Sequence, residues 1–291
     1  MTFKTIAVIG TGQMGAGIAQ ACATAGAHVV AIDPDAKQRD RALAGITKSL
    51  AKLAEKGIVT DPTGIAARIR FAEKVGDASG ADLVIEAIVE ELKAKRALWE
   101  ELDVLCPPDT IFATNTSSLS VGEQAEVTDR PQEFLGLHFF NPVPLMALVE
   151  VVRTDRVDPT VVERAVALVR AMGKTPVLAL DTPGFVVNRL LVPYLLDAAR
   201  AAEAKVATTV DIDAGMKLGA GHPMGPLMLL DFVGIDTVVR IADIFHHAFD
   251  EERHRAPAIL TAMVARGELG KKSGKGFYDW SGKEPVPMEI K

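Results

Sequence analysis

"TIAVIGTGQMGAGIAQACATAG" (residues 5–26) begins with the pattern of a strand and ends with that of a helix. Residues 5–9 are a short apolar run rich in β-branched side chains, which predicts a buried strand. The turn after it carries Gly10, Gly12 and Gly15 in G-x-G-x-x-G spacing. Gly10 permits the tight turn, Gly12 lets backbone approach a pyrophosphate, and Gly15 allows the helix to pack against the strand, with the helix N-terminus facing the anion. Gln13 and Met14, inside the fingerprint, join the glycines as candidate cofactor contacts. The next strand, "HVVAID" (28–33), ends on Asp33. That carboxylate lies at the distance of about 20 residues expected for a group accepting hydrogen bonds from ribose hydroxyls. The competing reading is a glycine turn that merely packs, with Asp33 as a helix cap before Pro34. Strand, turn, helix and acid together favour a dinucleotide. Because a 2′-phosphate would meet repulsion at Asp33, NAD is expected over NADP unless Lys37 or Arg39 compensates.

Outward from this stretch, "DLVIEAI" (82–88), "TIFATN" (110–115), "FLGLHFF" (134–140), "LVEVVRT" (148–154) and "PVLAL" (176–180) read as further strands, most of them buried on both faces. Leu43, Ile46, Leu50 and Leu53 recur at spacings of three and four, marking a helix with one apolar stripe. Lys48, Lys52 and Lys56 share another face. Alternating strands and helices predict a parallel α/β sheet of Rossmann type, doubly wound. After "DTPGF" (181–185) the chain becomes helix-periodic and rich in Leu and Ala, with a loop-like tail from Gly270. The expected organisation is a nucleotide-binding domain over 1–182 and an all-α C-terminal domain over 183–291.

The chain has 291 residues, more than one compact domain usually holds. Its net charge of −6 argues against a nucleic-acid binder relying on a broad basic surface. Glycines interrupt the N-terminal apolar series, so it does not read as a secretory signal. No window offers the roughly 18 uninterrupted apolar residues of a membrane span. Cys22 and Cys106 form no Cys-x-x-Cys pair and read as reduced thiols of a cytoplasmic protein, with neither zinc nor another metal expected.

"GLHFFNPVP" (136–144) places His138 at the C-terminal end of a strand, the edge where ligands bind in open α/β sheets. A dehydrogenase acting on an alcohol needs a base for the hydroxyl proton, and histidine suits neutral pH. If the turn between strands centres on Pro144, Glu150 in "LVEVV" faces His138 and can fix its tautomer. The alternative is a buried histidine satisfied by backbone, with Glu150 on a solvated face. "ATNTSSLS" (113–120) tips the balance, since its Asn and hydroxyl groups end a strand at the same edge. A helix cap at Ser117 or Ser118 competes with that reading. Phe139 and Phe140 read either as an apolar wall excluding water beside His138 or as core.

Together "GTGQMGAGIA" (10–19), "EAIVEELKAK" (86–95), "NTSSLS" (115–120), "LHFFNPVPLMALVEVV" (137–152), "DTPGFVVNRLLVPYLLDA" (181–198), "KLGAGHPMGPLMLLDFVG" (217–234) and "GKKSGKGFY" (270–278) resemble the NAD-dependent L-3-hydroxyacyl-CoA dehydrogenases, especially the short bacterial 3-hydroxybutyryl-CoA dehydrogenases. The resemblance runs, in order, through nearly the whole chain. It implies His138 as general base for the 3-hydroxyl proton, Glu150 as its orienting partner, and Ser117 and Asn188 as hydrogen-bond partners of the substrate oxygens. Without it, Asn188 is a polar residue at a helix N-terminus. The resemblance further implies cofactor contacts at Glu90, Lys95, Asn115, Ser117, Asn141 and Lys272, and contacts to the CoA moiety at Ser49 and Lys56. Charge spacing alone reads Lys48, Lys52 and Lys56 as an exposed helix face, although a basic face meets the electrostatic need of a CoA phosphate ligand on an acidic protein. A homodimer through the helical domain is also implied.

His222 stands where an aromatic is common in relatives and is given no catalytic role. His246, His247 and His254 read as a solvated helix end. Two other functions remain on this scaffold: a dehydrogenase of a free hydroxy acid or sugar acid such as gulonate, and a non-catalytic NAD-binding sensor.

Overall fold

The structure, a computed structural model, describes residues 3–289. They divide into two compact units, the chain passing from one to the other between Phe185 and Val186.

The first unit is built on an eight-stranded sheet. β1 (Thr5–Ile9), β2 (His28–Ile32), β3 (Ile69–Ala72), β4 (Leu83–Glu86), β5 (Ile111–Thr114) and β6 (Phe134–Phe139) run parallel, in the order β3-β2-β1-β4-β5-β6. β7 (Leu148–Arg153) returns antiparallel to β6, and β8 (Thr175–Leu180) lies parallel to β7 at the edge. The sheet is therefore mostly parallel and mixed at one side, as a turn about Pro144 that sets His138 opposite Glu150 requires. The cause is local: the 140–147 loop is too short for a crossover helix, so it reverses the strand. β4, β5 and β6 are buried along their whole length, as their apolar composition requires, whereas edge strand β8 leaves Leu178 and Leu180 exposed. β3 was not expected as a strand. Its four residues, "IRFA", include an exposed Arg70 and are too few to show a period.

α1 (Gln13–Thr24) crosses against β1 so closely that a Cβ on Gly15 would sit 1.8 Å from the Gly10 carbonyl oxygen. Gly10 itself has φ +89°, a conformation that favours glycine, which explains both positions. α2 (Ala36–Glu55) is capped by Asp35, whose carboxylate accepts from Lys37 N, and buries Ala42, Ile46, Leu50 and Leu53. Leu43, expected in that stripe, is instead 48% exposed, because the inward face passes through Ala42 in this turn. α3 (Pro62–Ala67) precedes β3, α4 (Leu92–Leu105) lies between β4 and β5, α5 (Val121–Ala125) follows β5, and α6 (Pro159–Ala171) joins β7 to β8. Trp99 pins α4 to the sheet, with ring centroids 5.1 Å from Phe112 and 4.8 Å from Phe134, and its indole N–H donates to Gln124. Aromatic contacts of this kind add about 0.5–1.5 kcal/mol beyond the area they bury.

The second unit contains α7 (Val187–Glu203), α8 (Thr209–Ala214), α9 (Pro226–Val233), α10 (Ile235–Phe249) and α11 (Ala258–Ala265) around a core that includes Leu195, Leu196, Leu227, Leu230 and Phe245. Two buried carboxylates organise it. Asp213 accepts from Leu227 N, Met228 N and the Tyr278 hydroxyl, so it caps α9. Asp231 accepts from Phe277 N, Tyr278 N and the Trp280 indole, tying the tail to α9. That tail holds a short ribbon, β9 (Tyr278–Asp279) antiparallel to β10 (Val286–Pro287), so this unit is not strictly all-α and its tail is not all loop. His254 also departs from expectation: it is buried against the rings of Phe245 and Phe249, not part of a solvated helix end, and burial holds its imidazole below the ordinary pKa. No described helix is long and apolar enough to cross a membrane.

Candidate active site

The first unit brings its candidate residues to the carboxyl ends of the parallel strands, beside the point between β1 and β4 where strand order reverses. At β1, Gly10, Gly12 and Gly15 form the turn. A Cβ on Gly12 would meet nothing within 4 Å, so bare backbone faces open space, as a pyrophosphate cradle requires. Gln13 donates to the Asn141 side-chain carbonyl across 3.0 Å. Met14 is half-buried against the main core. At the end of β2 the Asp33 carboxylate accepts from Thr11 N and from Asp35 N, which fixes its orientation. Arg39 donates to the Asp33 backbone carbonyl and approaches Glu73 at 3.9 Å, so its charge has partners of its own. These residues fit a dinucleotide with free ribose hydroxyls.

His138 and Glu150 are directly opposite on β6 and β7, a register that places the centre of the intervening loop at Pro144. The imidazole Nδ1 lies 2.6 Å from the Glu150 carboxylate. His138 is 7% exposed and Glu150 fully buried. Among neutral tautomers, the one with hydrogen on Nδ1 donates to Glu150 and leaves the Nε2 lone pair free to take a proton. Phe140 lies 4.5 Å from the His138 ring by centroids, and Phe185 lies 5.6 Å from it. Of the two readings open for Phe139, core holds: it is buried in the main core, because alternate residues of a strand face opposite sides. Phe185 was not foreseen. It takes the left-handed conformation, φ +49°, after Gly184, and sequence pattern carries no signal for that.

Asn115 accepts from Phe139 N, tying the end of β5 to β6 beside His138. Glu90 accepts from Ser117 N and from the Thr116 hydroxyl, and its other oxygen lies 3.0 Å from Lys95 Nζ. Burial raises the Glu90 carboxyl, but the Lys95 charge and the Thr116 and Ser117 hydrogen bonds outweigh it and hold the group below the usual carboxylate range. Lys95 has no exposed side-chain surface: Glu86, itself buried and accepting from the Thr114 hydroxyl, binds the same ammonium at 2.8 Å. Lys95 is therefore enclosed by protein, and its ammonium positions Glu90 and Glu86 rather than reaching open space. Glu86 was missed, since a lone acid at the end of an apolar strand has no distinctive spacing.

A cavity of about 670 Å³ opens between the glycine turn, α1, α2 and the 141–145 loop. Ser49 and Lys56 line it, as do Arg41, Lys48 and Lys52, and no carboxylate does so among the described residues. The lysine row is therefore the wall of a groove, not only a solvated face. Lys174, also unforeseen, donates to the carbonyls of Val143 and Met146, holding the loop that closes it.

Asn188 and Lys272 belong to the second unit. Asn188 is in the first turn of α7, and Lys272 pairs with Asp236 at 2.5 Å. The His222 imidazole is hydrogen-bonded to the Tyr194 hydroxyl.

The 3-hydroxyacyl-CoA dehydrogenase NAD binding domain matches residues 5–182, and the C-terminal domain of the same family matches residues 184–280. A probable 3-hydroxybutyryl-CoA dehydrogenase of Bacillus subtilis is 45% identical over 285 residues, 97% of this chain and 99% of the relative. The 3-hydroxybutyryl-CoA dehydrogenase of Bradyrhizobium diazoefficiens is 42% identical over 286 residues, covering 98% of each. The crystal structure of (S)-3-hydroxybutyryl-CoA dehydrogenase from Ralstonia eutropha superposes with a TM-score of 0.94 at 38% identity, over 96% of this chain and all of that one. With both of its domains matched and relatives alike from end to end, the chain belongs to the 3-hydroxyacyl-CoA dehydrogenase family of NAD-dependent oxidoreductases.

Proposed function

We propose that this enzyme interconverts (S)-3-hydroxyacyl-CoA and 3-ketoacyl-CoA thioesters, with 3-hydroxybutyryl-CoA and acetoacetyl-CoA as its principal pair. The observation that carries this reading is the 2.6 Å contact between His138 Nδ1 and Glu150 at the ligand-binding edge of the sheet. Glu150 holds the imidazole so that Nε2 takes the proton of the 3-hydroxyl group, and its charge stabilises the imidazolium that results. A bound NAD would supply the acceptor for the hydride leaving C3. In the reverse direction His138 returns the proton to the alkoxide oxygen. Phe140 and Phe185 keep water from the ring. Ser117, held at its backbone N–H by Glu90, is placed as a hydrogen-bond donor to the substrate oxygens, with Asn188 in the same role by resemblance. Gly10, Gly12, Gln13, Met14, Gly15, Asp33, Glu90, Asn115, Asn141 and Lys272 serve the dinucleotide, while Ser49 and Lys56 serve the CoA moiety.

Thioester rather than free-acid chemistry is supported by the cation-lined cavity: a CoA phosphate ligand needs those positive charges and a free sugar acid does not. The protein is further proposed to act in the cytoplasm as a homodimer. Leu190, Leu218 and Phe232 leave apolar surface exposed on the helical unit, which suits such an interface and can be tested by sedimentation.

Replacing His138 by Gln tests the assignment. kcat with acetoacetyl-CoA and NADH should fall by roughly 10²–10⁴ while NADH binding survives. Retained turnover would remove His138 from the mechanism.

A further inference from the structure

Gly45 lies inside α2, a helix of 20 residues, where glycine is the least favourable choice after proline. Packing explains the helical glycines of α1: a Cβ on Gly15 would collide with Gly10, and one on Gly17 would come within 2.8 Å of Val143 Cβ. A Cβ on Gly45 would meet nothing within 4 Å, and its φ is not positive. The position therefore has neither a packing nor a conformational reason to lack a side chain. It does line the 670 Å³ cavity, one helical turn from Arg41, Lys48 and Ser49 and two turns from Lys52. Gly12, the open glycine of the dinucleotide turn, lines the same cavity. So does Gln20, which is 2% exposed.

We propose that Gly45 is a specificity-determining position, where the bare surface of α2 receives the phosphorylated nucleotide of the CoA thioester, with Gln20 facing its amide-bearing arm. This rests on reading the cavity as the CoA site. Arg41, Lys48 and Lys52 then flank the nucleotide, and any side chain at position 45 stands in its place.

The test compares wild type, Gly45→Ala and Gly45→Leu on acetoacetyl-CoA and on S-acetoacetyl-N-acetylcysteamine, a thioester without the nucleotide. Gly45→Leu should raise KM for acetoacetyl-CoA by about tenfold or more with kcat within about twofold, while KM for the truncated thioester shifts by less than about twofold. Gly45→Ala should raise Tm by about 2–4 °C, since an exposed helix gains from losing its glycine. An unchanged KM for acetoacetyl-CoA in Gly45→Leu, or a lowered Tm in Gly45→Ala, overturns the inference. If wild type itself shows no KM advantage for the CoA ester over the truncated one, the CoA reading of the cavity falls, and the inference falls with it.

Discussion

An imidazole acts as a base only from the tautomer that leaves its reactive nitrogen unprotonated, and Glu150 selects that tautomer for His138. Glu150→Gln preserves the shape but removes the charge that stabilises the imidazolium, so kcat should fall by about 10²–10⁴ with little change in KM. Steady-state kinetics with acetoacetyl-CoA and NADH will check this. Asp33 carries a second prediction: wild type should prefer NADH, and Asp33→Ala should raise efficiency with NADPH relative to NADH by about tenfold or more. The pairing of 138 with 150 was legible because strand register is arithmetic once the turn is located. Phe185 and Glu86 were not, since one depends on a left-handed backbone after Gly184 and the other on partners from three elements.

Buried charge ties several of these elements together. Lys95 on α4 holds Glu86 from β4 and Glu90 from the following loop, and Glu90 in turn accepts from the Thr116 hydroxyl and the Ser117 backbone N–H after β5. Lys95→Met leaves two carboxylates without their cation and should cost about 3–5 kcal/mol in denaturant unfolding. The lowered folded-state pKa of Glu90 fixes the sign of its pH effect. Its contribution is present above the ordinary glutamate pKa and is lost as pH falls through the lower, folded value. Tm should accordingly drop on acidification through that window, and Glu90→Gln should flatten part of the drop. At this scale sequence pattern located most elements but missed their phase or ends. The α2 stripe begins at Ala42 rather than Leu43 because a small residue turned inward carries little hydrophobic signal. β3 escaped notice because four half-exposed residues resemble a loop.

For the molecule as a whole, an acidic protein gathers several of its cations on the wall of one cavity, the one proposed to take the CoA moiety. Arg41, Lys48, Lys52 and Lys56 share the cavity wall in a chain of net charge −6. Screening shortens from about 10 Å at 0.1 M salt to about 3 Å at 1 M, so KM for acetoacetyl-CoA should rise with salt more steeply than KM for a thioester without the nucleotide. The two thiols behave as structure, not chemistry: burial pushes Cys22 up to about 12 and Cys106 up to about 11. A thiol reagent should label them only on unfolding. The succession of α/β and helical units was readable from the change of period after residue 181, whereas the small ribbon in the tail depends on Asp231 and distant hydrogen bonds that no local pattern encodes. The most direct measurement sets the purified enzyme's turnover of acetoacetyl-CoA with NADH against its oxidation of gulonate with NAD. Rapid NADH consumption with the thioester and little or no turnover of the sugar acid is the predicted result; gulonate turned over as efficiently as acetoacetyl-CoA, or no reduction of the thioester at all, would contradict it.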